Sequence, residues 1–396
     1  MDKLNTKIFI KLINYGSSIS DKNPWLAQEI MTKGIKYYPN EGIGYYNLGI
    51  ALHMQRRPKA AIRAYKTSLR NKGCPYQSVK KNLAQDLLLS GNYQDGWNEY
   101  EFRFKENEHH FFKYHFGEAW DRISKYQAAT KDLLLVSEQG YGDTIQFYRF
   151  AIFLEKLGFN IILFCQKPLT KLLQESRNNI RIINELSDNQ IKYISKWSPL
   201  LSLPMKLGIT KENIPYPGAY IKANLQKITE WKVKLKQKYN HKLIGLHWQG
   251  NTEFEKKLYG KGRSMHFSNL MQLINLKNTE FVSLQKGLAI NQLKMNNHLN
   301  FVRGQSDLNN NKNFSDTAAV IALCDLVITT DSVIAHLSGA MGIETWVALS
   351  WIPEWRWGLE GERTNWYPSI KLFRQPSQGD WSSVIKKINI ELKRLR

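Results

Sequence analysis

Cysteine is scarce. Cys74, Cys165 and Cys324 are the only three among 396 residues, and they lie far apart. They offer neither a zinc-ligand spacing nor a disulfide framework, so metal-stapled and disulfide-stapled scaffolds are excluded and a reducing cytoplasm is the expected compartment. Long apolar runs are missing too. No stretch reaches the roughly 20 residues that span a bilayer. The patch Ile8-Phe9-Ile10 is cut by Lys11, and no small-residue cleavage site comes after it. Neither a transmembrane helix nor a secretory signal is expected. Acidic residues are few, 34 against 56 Lys and Arg, for a net charge of +22. Such a surface attracts nucleic acid, anionic membranes or phosphorylated ligands. Yet 40 of those 56 are lysines, dispersed except for a dense stretch from Lys222 to Lys242, with no basic-aromatic RNA motif among them. Specific nucleic-acid recognition is therefore not expected.

The residues that are present fit a globular chain, 42% hydrophobic and 23% charged. Its length calls for two or three domains. The N-terminal third carries an internal repeat. Tyr45, Leu48, Gly49 and Leu52, then Ala61, Tyr65 and Ser68, alternate small and large residues as a helix-turn-helix unit of about 34 residues requires. Ala27, Met31, Gly34 and Pro39 fall one period earlier, and Leu83, Ala84, Gly96 and Tyr100 one period later. The pattern resembles about three tetratricopeptide repeats, the first degenerate in its first helix. Such an array is either a concave platform for a partner or acceptor, or a buttress for the C-terminal two thirds of the chain. The next segment, Glu101 to Ala129, is rich in aromatics and in His109, His110 and His115. Adjacent histidines do not share a helix face and no Cys or carboxylate completes a metal set. The segment reads as a connection packed by Phe111, Phe112, Tyr114 and Trp120.

From Asp132 the period changes. Leu133 to Val136 is a short continuous apolar run, as in a buried parallel strand. It runs into Ser137-Glu138-Gln139-Gly140-Tyr141-Gly142-Asp143-Thr144, then into a helical pattern through Ile145, Tyr148 and Ile152 and a strand at Ile161 to Phe164. Ligands in open α/β sheets bind at the carboxyl ends of strands, where this loop lies. Gly140 and Gly142 leave room for a phosphate or sugar beside the backbone. Asp143 is either a ligand-facing carboxylate or simply a helix N-cap.

A second α/β pattern begins after a helix that sets Ile228, Trp231 and Leu235 on one face. Its strands are Leu243 to Trp248, Phe281 onward to the polar Gln285-Lys286-Gly287, and Leu326 to Thr330, with a capped helix at Asp316 to Ala322. Gly250 and Asn251 end the first strand, and a polar loop reaches Arg263-Ser264. Asp331 and Ser332 are placed to cap a helix whose free amides suit a phosphate. Ala335, Gly339 and Ala340 allow that helix to pack closely.

Gly140-Tyr141-Gly142-Asp143, together with Asp331-Ser332-x-x-Ala335-His336-Leu337, resembles the bacterial heptosyltransferase-related GT-B glycosyltransferases, the family 9-like group. Trp355-Arg356-Trp357, Trp366-Tyr367-Pro368-Ser369, Leu372-Phe373-Arg374-Gln375 and Gly379-Asp380-Trp381 are similar to its subgroup with tetratricopeptide repeats in front. The architecture also resembles that of O-linked N-acetylglucosamine transferases, by analogy alone.

The resemblance implies helical repeats at 1–125, an acceptor-side Rossmann-like lobe at 126–226, and a nucleotide-sugar donor lobe with a terminal helix at 227–396. It implies a hexosyl- or heptosyltransferase using a nucleotide-sugar donor and a glycan, lipid-linked or protein acceptor, with a possible protein partner on the repeats and no cofactor. Asp143 falls on the catalytic base, which takes the acceptor proton. Gly140, Gly142, Gly250, Asn251, Arg263, Ser264, Gln285, Lys286, Asp331, Ser332 and His336 fall on nucleotide-sugar-binding positions; amides near Ser332 with Lys286, Arg263 and His336 meet the departing phosphate, and Gln285 or Asn251 orients the donor. Against these stand plainer readings: solvated loop charge for Lys286 and Arg263, and a buried, backbone-bonded histidine for His336. No Asp-x-Asp pair occurs, in keeping with metal-independent, inverting transfer. One departure concerns Glu253 to Lys257 and Gly260 to Gly262, where relatives carry a His/Asn/Asp-Arg stretch. It raises the alternative of an inactive scaffold that binds a protein or glycan. Trp351, Trp355, Trp357 and Trp366 either stack on sugar or base, or pack where the helix Val384 to Leu395 returns toward the first lobe.

Overall fold

The computed structural model describes residues 3–104, 118–120, 132–176, 179–187, 194, 196–256, 260–274, 276–296, 298–309 and 313–394. The histidine- and phenylalanine-rich connection around 109–115, the 125/126 boundary and Leu395 lie outside them. Trp120 is described and buried. No described helix is long and apolar enough to cross a membrane. The chain divides into two compact units.

The first unit comprises 1–113 with 208–211 and 355–360. Its described helices are α1 (Lys3–Ile19), α2 (Pro24–Tyr37), α3 (Gly42–Met54), α4 (Pro58–Leu69), α5 (Tyr76–Leu89) and α6 (Tyr93–Tyr100), each packed on the next. Local chemistry starts them: Asn23 and Asn92 cap α2 and α6, and Pro24 and Pro58 occupy first-turn positions. Small residues set the pair spacing. A Cβ on Gly49 would lie 2.3 Å from the Tyr65 ring, and one on Gly16 would lie 2.6 Å from Met31 Cε. Gly16 thus supplies the small position in α1, the helix whose sequence reads as degenerate. Ala27, Ala61 and Ala84 are buried in the corresponding seams. Trp355 and Trp357 are buried in this unit, with Trp355 edge-on to Trp97 at a centroid distance of 5.2 Å.

Among the described residues the second unit holds two five-stranded sheets, and all of their strand pairs are parallel. The first sheet contains β1 (Glu118–Ala119), β2 (Asp132–Val136), β3 (Asn160–Phe164), β4 (Arg181–Ile183) and β5 (Lys196–Pro199), in the order β1-β5-β2-β3-β4. Its main helices are α7 (Tyr141–Lys156) and α8 (Lys167–Ser176). The second contains β6 (Lys242–His247), β7 (Thr279–Ser283), β8 (Leu326–Thr330), β9 (Thr345–Leu349) and β10 (Ile370–Arg374), in the order β10-β9-β8-β6-β7. It carries α9 (Leu225–Leu235), α10 (Phe314–Ile321), α11 (Val333–Ala340) and α12 (Trp381–Arg394). Strand β2 lies between β3 and β5, and β6 between β7 and β8, so the chain winds first to one side and then to the other, which puts a topological switch point beside each.

Two expectations for the tail need correction. Helix α12 does not return toward the first lobe: Trp381, Val384, Ile385, Ile388 and Leu392 pack with Trp248, Phe267 and Phe373 of the second. The connection from β10 is short, so the apolar stripe of the helix is covered by the sheet that precedes it. The tryptophans are not gathered there either. Trp355 and Trp357 belong to the helical unit, and Trp366 is buried against Phe147 of α7, at 6.2 Å between ring centroids.

Candidate active site

At the end of β2 the chain turns through Gln139, which is left-handed at φ 62°. Its carbonyl accepts a hydrogen bond from Gln166 Nε2 at 3.2 Å. Glu138 is buried and accepts from the Leu201 amide at 3.2 Å, which ties the ends of β2 and β5 together. Gly140 is the cap of α7, so Asp143 is the third helical residue rather than the cap itself. Its half-buried carboxylate accepts from the Gly140 amide at 3.0 Å, the back-reaching arm of a capping box. A Cβ on Gly142 would meet His336 Cδ2 at 2.7 Å. The expectation that Gly142 leaves room for phosphate or sugar is therefore corrected: an imidazole from the second lobe occupies that space. Gly140 is open except for Asp143 Oδ2, 3.2 Å from its would-be Cβ.

Across from it, the β6/β8 switch point gathers polar side chains that are almost wholly buried. His247 and Thr329 are register partners at the strand ends. Ser332 caps α11, accepting from the Ile334 amide at 3.2 Å, and its hydroxyl lies 3.2 Å from His247 Nδ1 and 3.0 Å from Thr329 Oγ1. Burial pushes the His247 imidazole down to about 3, so it is neutral around pH 7. Asp331 is 3% exposed. Arg263 Nη2 bonds to its Oδ1 at 2.9 Å and to its carbonyl oxygen at 3.1 Å. The other carboxylate oxygen, Oδ2, is buried with no hydrogen-bond partner among the described residues.

The loop after β6 is held from beneath. Gln285 accepts from the Trp248 and Gln249 amides at 3.1 and 3.0 Å and donates to the Gln249 and Lys286 carbonyls at 2.9 and 3.0 Å. Its amide is engaged entirely by backbone, so it orients the loop rather than touching a ligand. The Gly250 amide donates to Ser264 Oγ at 2.9 Å, and that hydroxyl donates to Glu255. Asn251 is exposed and accepts from the Glu253 amide at 3.0 Å. Lys286 donates to the Leu308 carbonyl at 2.6 Å. Burial lowers its ammonium to about 8, with Asp316 acting in the opposite direction. His336 is buried, with Nδ1 3.1 Å from Tyr367 Oη.

The residues expected at the site thus fall into two clusters. Arg263, Asp331 and Ser332 converge at the β6/β8 switch point beside Gly250, whose would-be Cβ lies 3.9 Å from the Asp331 carbonyl. Gly142 meets His336, one turn along the helix that Ser332 caps, and Gly140 and Asp143 flank it along the chain. Lys286 and Asn251 are turned to their own loops. Sequence reasoning assigned no role to His247, Thr329, Tyr367 or Glu255. A histidine ending an apolar strand was the one available signal.

No family model matches the chain. Protein FlbA of Caulobacter vibrioides is 23% identical over 388 residues, which include 91% of this chain. The chain spans 63% of the length of that protein. Among solved structures, the glycosyl transferase family 9 protein from Veillonella parvula superposes with a TM-score of 0.44 at 12% identity, over 68% of this chain and 92% of that one. The E. coli ADP-heptose lipopolysaccharide heptosyltransferase II gives 0.45 at 12% identity, over 67% of this chain and 99% of its own.

Proposed function

We propose that the chain is a GT-B glycosyltransferase that moves a sugar from a nucleotide-sugar donor to an acceptor hydroxyl, with inversion and without a metal ion. One observation carries this reading. The helix end bearing Asp143 packs through Gly142 on the helix whose N-terminus, capped by Ser332, opens at the second lobe's switch point. That contact brings the segment bearing a carboxylate against the helix bearing a set of free amides, the two groups that inverting transfer needs. Asp143 takes the proton of the acceptor hydroxyl as its oxygen bonds to the anomeric carbon. The bond from that carbon to the donor phosphate breaks, and the electron pair leaves with the nucleoside diphosphate. The α11 amides stabilise the departing charge. The unsatisfied Oδ2 of Asp331 suits a sugar hydroxyl donor. The repeats, read as tetratricopeptide-like, recruit or orient the acceptor. The test is transfer or hydrolysis across a panel of nucleotide sugars. Asp143→Ala is expected to lower kcat by about 100-fold or more and leave nucleotide binding within threefold. Unchanged turnover would remove Asp143 from the chemistry.

A second reading, an inactive scaffold that binds a protein or glycan, draws on Glu255. Its carboxylate holds Ser264 beside the Gly250 amide, where a diphosphate would meet like charge. On this reading calorimetry finds no nucleotide bound, by wild type or by Glu255→Gln. Micromolar nucleotide binding counts against it.

A further inference from the structure

We infer that Arg149 is an interlobe latch and the positioning residue for Asp143, an inference that rests on the transferase reading for its catalytic consequence. Arg149 lies on α7, two turns beyond the loop, and is fully buried. A buried guanidinium ordinarily has a carboxylate partner, because desolvating a charge is costly. Arg149 forms no ion pair among the described residues, and its Nη1 is buried without a hydrogen-bond partner. Its charge is met instead by carbonyls and ring faces. Nε donates to the Gln146 carbonyl at 3.1 Å, and Nη2 donates to the Trp366 carbonyl at 2.9 Å and to Tyr220 Oη at 3.2 Å. The rings of Tyr220, Tyr367 and Trp366 surround it at 4.7, 4.9 and 5.3 Å, distances at which a cation is attracted to a π face.

These partners come from different parts of the second unit. Trp366 and Tyr367 belong to the second lobe. Tyr220 lies on the crossover between lobes, where the Tyr220 and Ile221 amides both donate to the Ala340 carbonyl at the end of α11. Tyr367 also meets His336, and His336 fills the space beside Gly142. The contacts close a circuit: α7 through Arg149 to Tyr367, to His336, and back to α7 at Gly142. Asp143 sits inside that circuit, next to Gly142. Only a planar, multidentate cation can lie among three rings and bond two elements at once. An apolar residue of similar bulk fills the volume without fixing how far α7 slides along α11. Arg149 therefore sets the depth of the Asp143 carboxylate relative to the amides at Ser332.

The experiment compares Arg149→Lys, Arg149→Met and Tyr367→Phe with wild type in the full chain. Three readouts are taken: steady-state transfer, donor binding by calorimetry, and backbone hydrogen exchange. The expected result for both Arg149 variants is a kcat lowered at least tenfold with donor affinity within threefold. Exchange should quicken at least tenfold at Gly142 to Ile145 and at Thr364 to Tyr367, with β6 and the helical unit unchanged. Tyr367→Phe keeps the ring and loses only the hydroxyl, so it folds even where loss of the guanidinium does not; several-fold faster exchange confined to Gly142 to Ile145 is expected. Wild-type kcat in the Arg149 variants overturns the inference, as does an equal fall in donor affinity and kcat, or faster exchange throughout the second unit. Asp143→Ala in the same assay reads the transferase proposal separately. If no donor is turned over even by wild type, that proposal fails and the exchange pattern alone decides the latch.

Discussion

His247 ends a strand of apolar residues and is buried at the site. Burial holds its imidazole near 3, against 6.5 in an exposed chain. Between those two values the unfolded chain binds a proton that the folded chain does not. Stability is therefore fully present above about pH 6.5 and is lost on acidification, by up to about 1.4 kcal/mol per pH unit from this group. His247→Asn removes the titration, so its urea midpoint should fall less steeply than that of wild type between pH 6.5 and 4.5. Parallel slopes would show that His247 is not the group responsible. Other side chains also exchanged roles on folding. Gln285 carries the polar atoms of a ligand-binding residue, yet every one of them is taken by loop backbone. Asp143 has the composition of an N-cap and sits at the third helical position, because Gly140 adopts the extended cap conformation before it. Neither outcome is written in residue type, since both depend on which backbone groups lie within about 3 Å.

Among the elements, the helical hairpins and the strands were the most legible. The continuous apolar run Leu133 to Val136 and the strand read at Leu326 to Thr330 became buried parallel strands, and the small-large alternation of the N-terminal third became paired helices. Both signals are local, one a run within a single strand and the other a helix-turn-helix unit of about 34 residues. The consequence at Gly49 is testable. A methyl group there must displace the Tyr65 ring, which is fully buried, so Gly49→Ala should cost about 1–3 kcal/mol by overpacking. Hydrogen exchange should quicken in α3 and α4 while α7 and β6 keep wild-type rates. A neutral or stabilised variant would mean that the hairpin can splay without penalty. Harder to foresee was the destination of an amphipathic helix. The stripe of α12 is plain in the sequence, yet a stripe states only that something covers it. The covering surface is its own lobe.

For the whole molecule, the net charge of +22 is spread over many dispersed lysines. Like charges on a compact body repel, and salt screens them over about 8–10 Å at physiological strength. Raising NaCl from 20 to 300 mM should therefore raise the melting midpoint, on the order of 2 °C. A midpoint that falls with salt would show that attractive surface pairs outweigh the excess. What the amino-acid order alone determined was the succession of elements, the glycine-Asp loop at a strand end and the Ser332 cap, because each depends on neighbours a few positions away. Tertiary structure decided what each of these faces: an imidazole in the space of Gly142, three rings around Arg149, tryptophans of the last quarter in the helical unit. Those partners lie tens to hundreds of residues apart along the chain. Only the competition of all side chains for the same packed volume selects them, and no local pattern encodes that competition.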